Sequence, residues 1–152
     1  MKERPILATL ALLALGCVSG CINRATATLE PGTNLSTIKS YYVVHQPKDT
    51  HDLQNLIRDR LIKDGYSATA GPEQSSYQAD SVITYVDRWA WDITLYLIEL
   101  TVTLRNATNG FPLALGNSFH TSLTRKSPEE MVDEVMTNIF TAAKQPVQQN
   151  NP

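Results

Sequence analysis

The clearest strand signal in the chain lies over positions 94–104, where apolar and polar residues alternate from Ile98 to Leu104. Successive side chains of a β-strand point to opposite faces, so this alternation predicts a strand with one buried face. Residues 81–91 and 112–123 predict two more long strands beside it, joined through turns near Asp92 and at Asn109-Gly110. On the predicted buried face of the middle strand lie Tyr96, Ile98, Leu100, Val102 and Leu104.

Two segments show the helical spacing of apolar residues. In the first, Leu53, Leu56, Ile57 and Leu61 recur on one side, and Gly65 supplies the end. The second starts at Ser127, which caps the helix, with Pro128 at its first position and Glu130 completing a capping box. Its apolar stripe, which we expect to pack on the sheet, consists of Val132, Val135, Met136, Ile139 and Phe140.

The order of these elements predicts an α+β fold. Shorter strands are predicted over residues 38–45 and 65–70, so the full order is β-α-β-β-β-β-α. This order predicts an antiparallel sheet of four to five strands with two helices packed on one face. We expect a single domain over residues 38–143 and a polar, disordered tail over residues 144–152.

The amino-terminal segment has the three-part layout of a secretory signal peptide. Lys2 and Arg4 form a basic start, residues 6–16 form an apolar run too short to span a bilayer, and small residues follow. The alternative is a buried amino-terminal helix of the domain. It is disfavoured because the run is apolar on all sides and is followed by Gly and Ser.

Val18-Ser19-Gly20-Cys21 resembles the lipobox of bacterial lipoproteins. The resemblance implies that residues 1–20 are removed by cleavage between Gly20 and Cys21. It also implies a lipid thioether on Cys21 and a further acyl chain on the new amino terminus. Cys17 fits the pattern less well, because Leu15 stands where a small residue is preferred.

The residues after Cys21 predict how the domain is attached. Residues 21–37 predict a lipidated amino terminus and a flexible tether, because they are rich in Thr, Ala, Pro, Gly and Asn. In lipoproteins of this kind an Asp after the cysteine favours retention in the inner membrane. The residue here is Ile22, so the resemblance implies the outer membrane, with the domain facing the periplasm.

Composition and motifs argue against several classes of function. A net charge of −2 at pH 7 gives no basic surface for nucleic acid. The domain has no cysteine, so it has neither disulfides nor thiolate metal sites. His45, His51 and His120 lack metal-ligand spacing, and no catalytic motif occurs. We therefore expect no catalytic residues, no metal and no cofactor.

The most unusual stretch is residues 85–92, where alternation places Tyr85, Asp87, Trp89 and Trp91 on one face of a strand. If that face is open, these residues form a candidate interaction surface, because exposed Trp and Tyr often dominate binding. If it faces the helices, the aromatic residues belong to the core. A third interpretation is that the hairpin tip touches lipid headgroups, where Trp is favoured.

These observations predict a membrane-anchored, non-catalytic envelope lipoprotein that serves as an accessory or binding module for another envelope protein. The element order is similar to that of small periplasm-facing α+β lipoproteins of unassigned function and, weakly, to that of transporter-auxiliary lipoproteins. The alternative is a lipoprotein that binds a small molecule or lipid between its sheet and helices.

Overall fold

The structure, a computed structural model, describes residues 23–145. The predicted signal peptide of residues 1–20, the predicted cleavage and lipidation site at Gly20 and Cys21, and residues 146–152 of the predicted tail lie outside this range.

Six strands and two α-helices form the described part of the chain. The strands are β1 (Asn23–Leu29), β2 (Ser40–Val44), β3 (Ser67–Gly71), β4 (Ser81–Trp91), β5 (Leu95–Asn106) and β6 (Pro112–His120). The helices are α1 (Leu53–Lys63) and α2 (Pro128–Lys144), and two 3-10 turns cover Leu35–Thr37 and Ser122–Thr124. Ser127 and Glu130 form the predicted capping box of α2.

The strands form one mixed sheet in the order β1-β6-β5-β4-β2-β3. β4, β5 and β6 are antiparallel neighbours, whereas β2 runs parallel to both β3 and β4. The predicted α+β fold is confirmed, but the sheet has six strands and is not purely antiparallel. The parallel pair arises because α1 connects β2 to β3 and returns the chain to the same end of the sheet.

Part of the predicted tether is a strand. Asn23–Leu29 forms edge strand β1, and all seven of its residues pair antiparallel with β6. Its side chains are mostly small and exposed, and its apolar alternation, Ala25, Ala27 and Leu29, is short and weakly hydrophobic, although Ala27 and Leu29 pack against the core. Main-chain hydrogen bonds to β6 form this strand, and they depend little on side-chain identity. Further along the predicted tether, Leu35 is buried in the core.

Both helices pack on the same face of the sheet, as predicted, and they also contact each other. α1 contacts β2 and β3, and α2 contacts β1, β5 and β6. The apolar stripes of the two helices and the inward residues of the central strands form one continuous core. Its fully buried members include Leu53, Ile57, Leu61, Ile83, Leu100, Leu104, Met131, Val135 and Ile139.

A β-bulge changes which residues of β5 are buried. The pairing passes from Arg88–Glu99 to Trp89–Leu97, so Ile98 has no partner on β4. One extra residue reverses the alternation from that point towards the turn. Leu97 is therefore buried, whereas Tyr96 and Ile98, which were predicted to face inward, are only partly buried.

Candidate functional site

The aromatic stretch of β4 points towards the helices along most of its length. Tyr85 is buried, Trp89 packs against the core, and Val86, between them in sequence, is exposed. The alternation predicted from the sequence is therefore present, but Tyr85 belongs to the core. It offers no contact surface to a partner.

Tyr85 ties β4 to the loop that precedes α1. Its hydroxyl donates a hydrogen bond to Asp49 Oδ2 at 2.7 Å, and the Gln46 side-chain amide donates to the Tyr85 carbonyl at 2.6 Å. Burial, together with the hydrogen bond to Asp49, raises the pKa of Tyr85. Burial alone would raise the pKa of Asp49, but hydrogen bonds from Tyr85 and from backbone amides lower it. The phenol stays neutral and the carboxylate charged, which suits a structural contact.

Trp89 and Asp87 are also held within the domain. The indole of Trp89 stacks on the imidazole of His51, with ring centroids 3.7 Å apart and an interplanar angle of 21°. The Trp89 Nε1–H group donates to Asp87 Oδ2 at 2.7 Å. The Asp87 carboxylate thus satisfies the indole N–H group. Because Trp89 also stacks on His51, it joins the loop before α1 to the sheet.

Trp91 differs from the other aromatic residues of β4 because 74% of its surface is exposed. It lies opposite Leu95, which is half exposed, across the β4–β5 hairpin. Ile93 in the hairpin turn is 87% exposed, and Leu123 in the 3-10 turn after β6 is 82% exposed. We call these four residues, Trp91, Ile93, Leu95 and Leu123, the tip patch.

A polar network connects the hairpin turn to the segment before α2. Arg125 donates to Asp92 Oδ2 at 3.0 Å and to Thr94 Oγ1 at 2.8 Å, and the Ser122 hydroxyl donates to Asp92. The hydrogen bond from Ser122 is the main reason that the pKa of Asp92 falls to about 2. The Arg125 guanidinium also lies over the ring of Tyr96, 4.6 Å from its centroid. These contacts fix the two parts of the tip patch relative to each other.

Two clefts open at opposite ends of the sheet. One of about 400 Å³ adjoins the tip patch and is lined by His51, Trp89, Leu95, Tyr96, Arg125 and Pro128, among others. The other, of about 510 Å³, includes Asp80 and Phe111 near the β5–β6 turn. The Asp80 carboxylate already accepts hydrogen bonds from the Lys39 and Ser40 backbone amides, both at 2.9 Å.

The open face of β4, β5 and β6 carries charged and amide side chains around the ring of Phe119. Glu99 pairs with Arg88 at 3.0 Å and accepts a hydrogen bond from Asn117 at 3.0 Å. Arg24 and Arg88 flank the ring of Phe119, with guanidinium carbons 6.0 Å and 5.7 Å from its centroid. Tyr85 and Trp89, which one interpretation placed on this face, point towards the core instead.

A polar cluster that was not predicted from the sequence lies beneath α2. Glu134 Oε2 accepts a hydrogen bond from Ser118 at 2.6 Å and lies 2.7 Å from His120 Nε2, and Lys126 donates to Glu134 Oε1. Burial alone would raise the pKa of Glu134, but the hydrogen bonds from Lys126, Ser118 and His120 lower it to about 2. Ser118 and His120 occupy inward-facing positions of β6. Polar side chains at such positions are a sequence signal for a buried hydrogen-bonding partner, here Glu134.

Two classes of feature are absent from residues 23–145. No group of three or more His, Cys, Asp or Glu side chains is positioned there to hold a metal ion. Neither of the helices described is long and apolar enough to span a membrane.

Comparison with known proteins identifies a fold but no family. No protein-family model and no curated protein matches the chain. Among solved structures, a PelC dodecamer from Paraburkholderia phytofirmans is similar with a TM-score of 0.60 and 14% identity. The match covers 78% of this chain and 98% of PelC. A second dodecamer, of a PelC variant from the same organism, gives a TM-score of 0.58 with the same identity and coverage. At this identity the likeness shows the fold alone.

Proposed function

We propose that the protein is a membrane-anchored, non-catalytic lipoprotein of the bacterial envelope, which serves as an accessory or binding module for another envelope component. The observation that carries this proposal is the lipobox-like Val18-Ser19-Gly20-Cys21 after a basic start and an apolar run. In this proposal Cys21 bears the lipid and the domain faces the periplasm from the outer membrane.

The way the polar side chains are used supports a non-catalytic role. Asp49 holds Tyr85, Asp87 holds Trp89, and Glu134 holds Ser118 and His120. In each case a potential acid or base is engaged in a hydrogen bond within the fold; the contacts of Asp49 and Glu134 join two segments, and that of Asp87 lies within β4. Glu134 lines a shallow cleft on α2 with Lys126, Glu130 and Asp133, but its carboxylate is already occupied by hydrogen bonds from Ser118 and Lys126 and a contact with His120.

We also propose that the domain associates with further copies of itself. PelC, which has a similar fold, is described as a dodecamer. This chain has open sheet edges at β1 and β3, and an open edge presents unpaired N–H and C=O groups to a neighbour. Light scattering on the purified, detergent-solubilised full chain measures this directly. A single-chain mass at all concentrations would leave a different envelope protein as the partner.

The alternative function, binding of a ligand between the sheet and the helices, has less support. A Cβ atom placed on Gly116 of β6 would lie 2.8 Å from the Ile139 side chain and 2.9 Å from that of Val135, both on α2. At this crossing the helix rests directly on the strand and leaves no space for a ligand. The cleft beside Trp89 is the better location for a small molecule.

The test of the anchor uses two cysteine variants of the full chain in a diderm bacterium fed a clickable fatty acid. Wild type and Cys17→Ala should incorporate the label and fractionate with membranes, whereas Cys21→Ala should do neither. Cys17→Ala is a matched control because it changes a cysteine within the same export signal. Labelling that persists in Cys21→Ala would contradict the proposal.

The proposed destination has its own test. Outer and inner membranes are separated by density, and the distribution of the wild type is compared with that of Ile22→Asp and Ile22→Ser. Wild type and the serine variant should be found mainly in the outer membrane, and the aspartate variant mainly in the inner membrane. A wild-type protein confined to the inner membrane would overturn the assignment of membrane without affecting the lipid anchor.

A further inference from the structure

The described chain begins at the end of the sheet that carries the hairpin tip. Asn23, the first residue of β1, is paired with His120, the last residue of β6. The Thr124 hydroxyl donates a hydrogen bond to the Asn23 side-chain oxygen. Since Ser122 of the same 3-10 turn is hydrogen-bonded to Asp92 in the β4–β5 turn, Asn23 and the hairpin turn are linked through one short segment.

The tip patch therefore lies at the end of the domain where the chain enters. Its members Trp91, Ile93 and Leu123 are each more than 70% exposed, an unusual concentration of large apolar side chains on a small domain. Phe111, another exposed apolar residue, lies in the β5–β6 turn at the opposite end of the sheet. The two ends can therefore be compared experimentally.

We propose that the tip patch docks on the surface of the lipid bilayer that holds the Cys21 anchor. This inference rests on the proposed function, because it requires a lipid on Cys21. Cys21 is two residues before Asn23, and a chain spans at most about 3.3–3.6 Å per residue, so the lipid-bearing residue lies within about 7 Å of Asn23. A longer tether would leave the orientation of the domain free, whereas this one holds the tip end at the membrane.

The chemistry of the patch suits the interfacial region of a bilayer. Trp is enriched at the level of the headgroups, and aliphatic side chains such as Ile93 and Leu123 gain free energy on entering the acyl boundary. Asp92, the carboxylate of the hairpin turn, would be repelled by anionic lipids. Its charge is compensated by Arg125, and it accepts hydrogen bonds from Ser122 and from the backbone amides of Ile93 and Thr94.

The short connection favours the bilayer over a protein as the occupant. A second copy or another envelope protein would have to insert between the patch and a membrane whose lipid is attached to a residue within about 7 Å of Asn23. The open face and the far end of the sheet carry no such restriction. Proteins therefore have room to bind there, while the tip remains on lipid.

The experiment places a fluorescent label at each end of the lipidated full chain. Cleavage of the signal peptide removes Cys17, and the lipid occupies the Cys21 thiol. The substitution Ile93→Cys or Phe111→Cys therefore supplies the one free thiol. Each protein is labelled with an environment-sensitive dye and reconstituted into vesicles of phosphatidylethanolamine and phosphatidylglycerol, with or without brominated acyl chains. Mass spectrometry of each preparation first establishes whether Cys21 carries lipid.

We expect the label at residue 93 to shift to the blue and to be quenched by brominated lipid several-fold more strongly than the label at residue 111. Equal, weak quenching at both positions in a lipidated protein would overturn the docking and leave the lipoprotein proposal intact. Absence of lipid on Cys21 would overturn both. A label at residue 93 that is shielded from water but not quenched by brominated lipid would mean that a protein covers the patch, which also overturns the docking.

A second measurement needs no label. The chain has two tryptophans, and Trp89→Phe leaves Trp91 as the only source of tryptophan fluorescence. Its emission should shift to the blue on reconstitution and be quenched by brominated lipid. In the companion variant Trp91→Phe, the remaining Trp89, stacked on His51, should respond much less. Equal responses of the two variants would contradict docking through the tip patch.

Discussion

Glu134 on α2 and His120 on β6 form a hydrogen bond of 2.7 Å between carboxylate Oε2 and imidazole Nε2, on the buried side of the helix. The same oxygen accepts from Ser118, and the other oxygen accepts from Lys126. A single carboxylate therefore joins α2 to the last strand of the sheet and to the segment that follows it. This relationship gives the domain a defined acid sensitivity.

We predict that stability falls in acid partly through Glu134. Its pKa is about 2 in the folded protein, against an ordinary value of 4.5. A carboxyl group whose pKa is lowered by folding contributes stability above the unfolded pKa and loses it as the pH falls from about 4.5 to about 2. Urea denaturation of Glu134→Gln should show a loss of about 1 kcal/mol at neutral pH, a modest value because the carboxylate is partly solvent-exposed. The variant should also depend less on pH across the acid range.

The control for this prediction is Glu73→Gln, which changes an exposed carboxylate in the loop after β3. Its acid profile should follow that of the wild type. Asp92, whose pKa is also about 2, contributes to the remaining acid dependence in every variant. A Glu134→Gln profile that is parallel to the wild type would show that the cluster does not link acid to stability.

The start of α2 gives a second prediction. Ser127 accepts a hydrogen bond from the Glu130 amide at 3.2 Å, and the Glu130 carboxylate accepts from the Ser127 amide at 2.8 Å. Ser127→Ala should reduce the free energy of unfolding by about 0.5–2 kcal/mol, because an amide of the first turn loses its partner. Ser75→Ala, in an exposed loop, should change it by less than about 0.5 kcal/mol. Equal stability of the two variants in urea would refute the role of the cap.

The contact between β6 and α2 gives a third prediction. Gly116→Ala should destabilise the domain by about 1–3 kcal/mol, because the new methyl group would overlap Ile139 and Val135 in a filled core. Ile139→Ala should cost about 2–5 kcal/mol by leaving a cavity. The double variant should be less destabilised than the sum of the two, since the smaller residue 139 makes room for the methyl group. Strict additivity in a double-mutant cycle would show that the two sites are not in tight contact.

The two tryptophans of β4 should respond differently to replacement. Trp89→Ala should reduce stability by about 1–3 kcal/mol, less than the roughly 3–5 kcal/mol for a fully buried aromatic residue, because Trp89 is only partly buried. Trp91→Ala should change the stability of the detergent-solubilised protein by less than about 0.5 kcal/mol. Thermal denaturation of the two variants checks this. A similar loss from both would mean that Trp91 is packed within the domain.

Most individual elements could be predicted because their signals are local. The capping box at Ser127 and the helical spacing of Leu53, Ile57 and Leu61 depend on neighbours within one or two turns, and α2 begins where the sequence predicts. The long strand Ser81–Trp91 was likewise predicted with its observed bounds. In the candidate site, alternation correctly placed Tyr85 and Trp89 on one face, but it left open whether that face was inside or outside.

What could not be predicted depends on contacts between distant residues. β1 pairs with the edge of β6, a residue range about 90 positions away, and its own alternation of Ala and Thr is too weakly hydrophobic to predict a strand. The bulge at Ile98 reverses the inward and outward positions of β5 between Ile98 and the hairpin turn, and the local sequence, in which residues 95–98 are all apolar, does not show which of them face inward. The cluster of Ser118, His120 and Glu134 joins residues 14 and 16 positions apart that no spacing rule connects.

By itself the sequence determined the two helices, the long strands and the α+β class, because periodicity and capping act over a few residues. It also supplied the prediction of a lipid on Cys21, which depends on a contiguous motif. Only the tertiary structure decided that Tyr85 is core, that Trp91 is exposed, and that Asn23 lies beside the hairpin tip. These outcomes depend on which surfaces the packed helices cover and on which strand ends meet, and the free energy of those contacts is set by residues far apart in the chain.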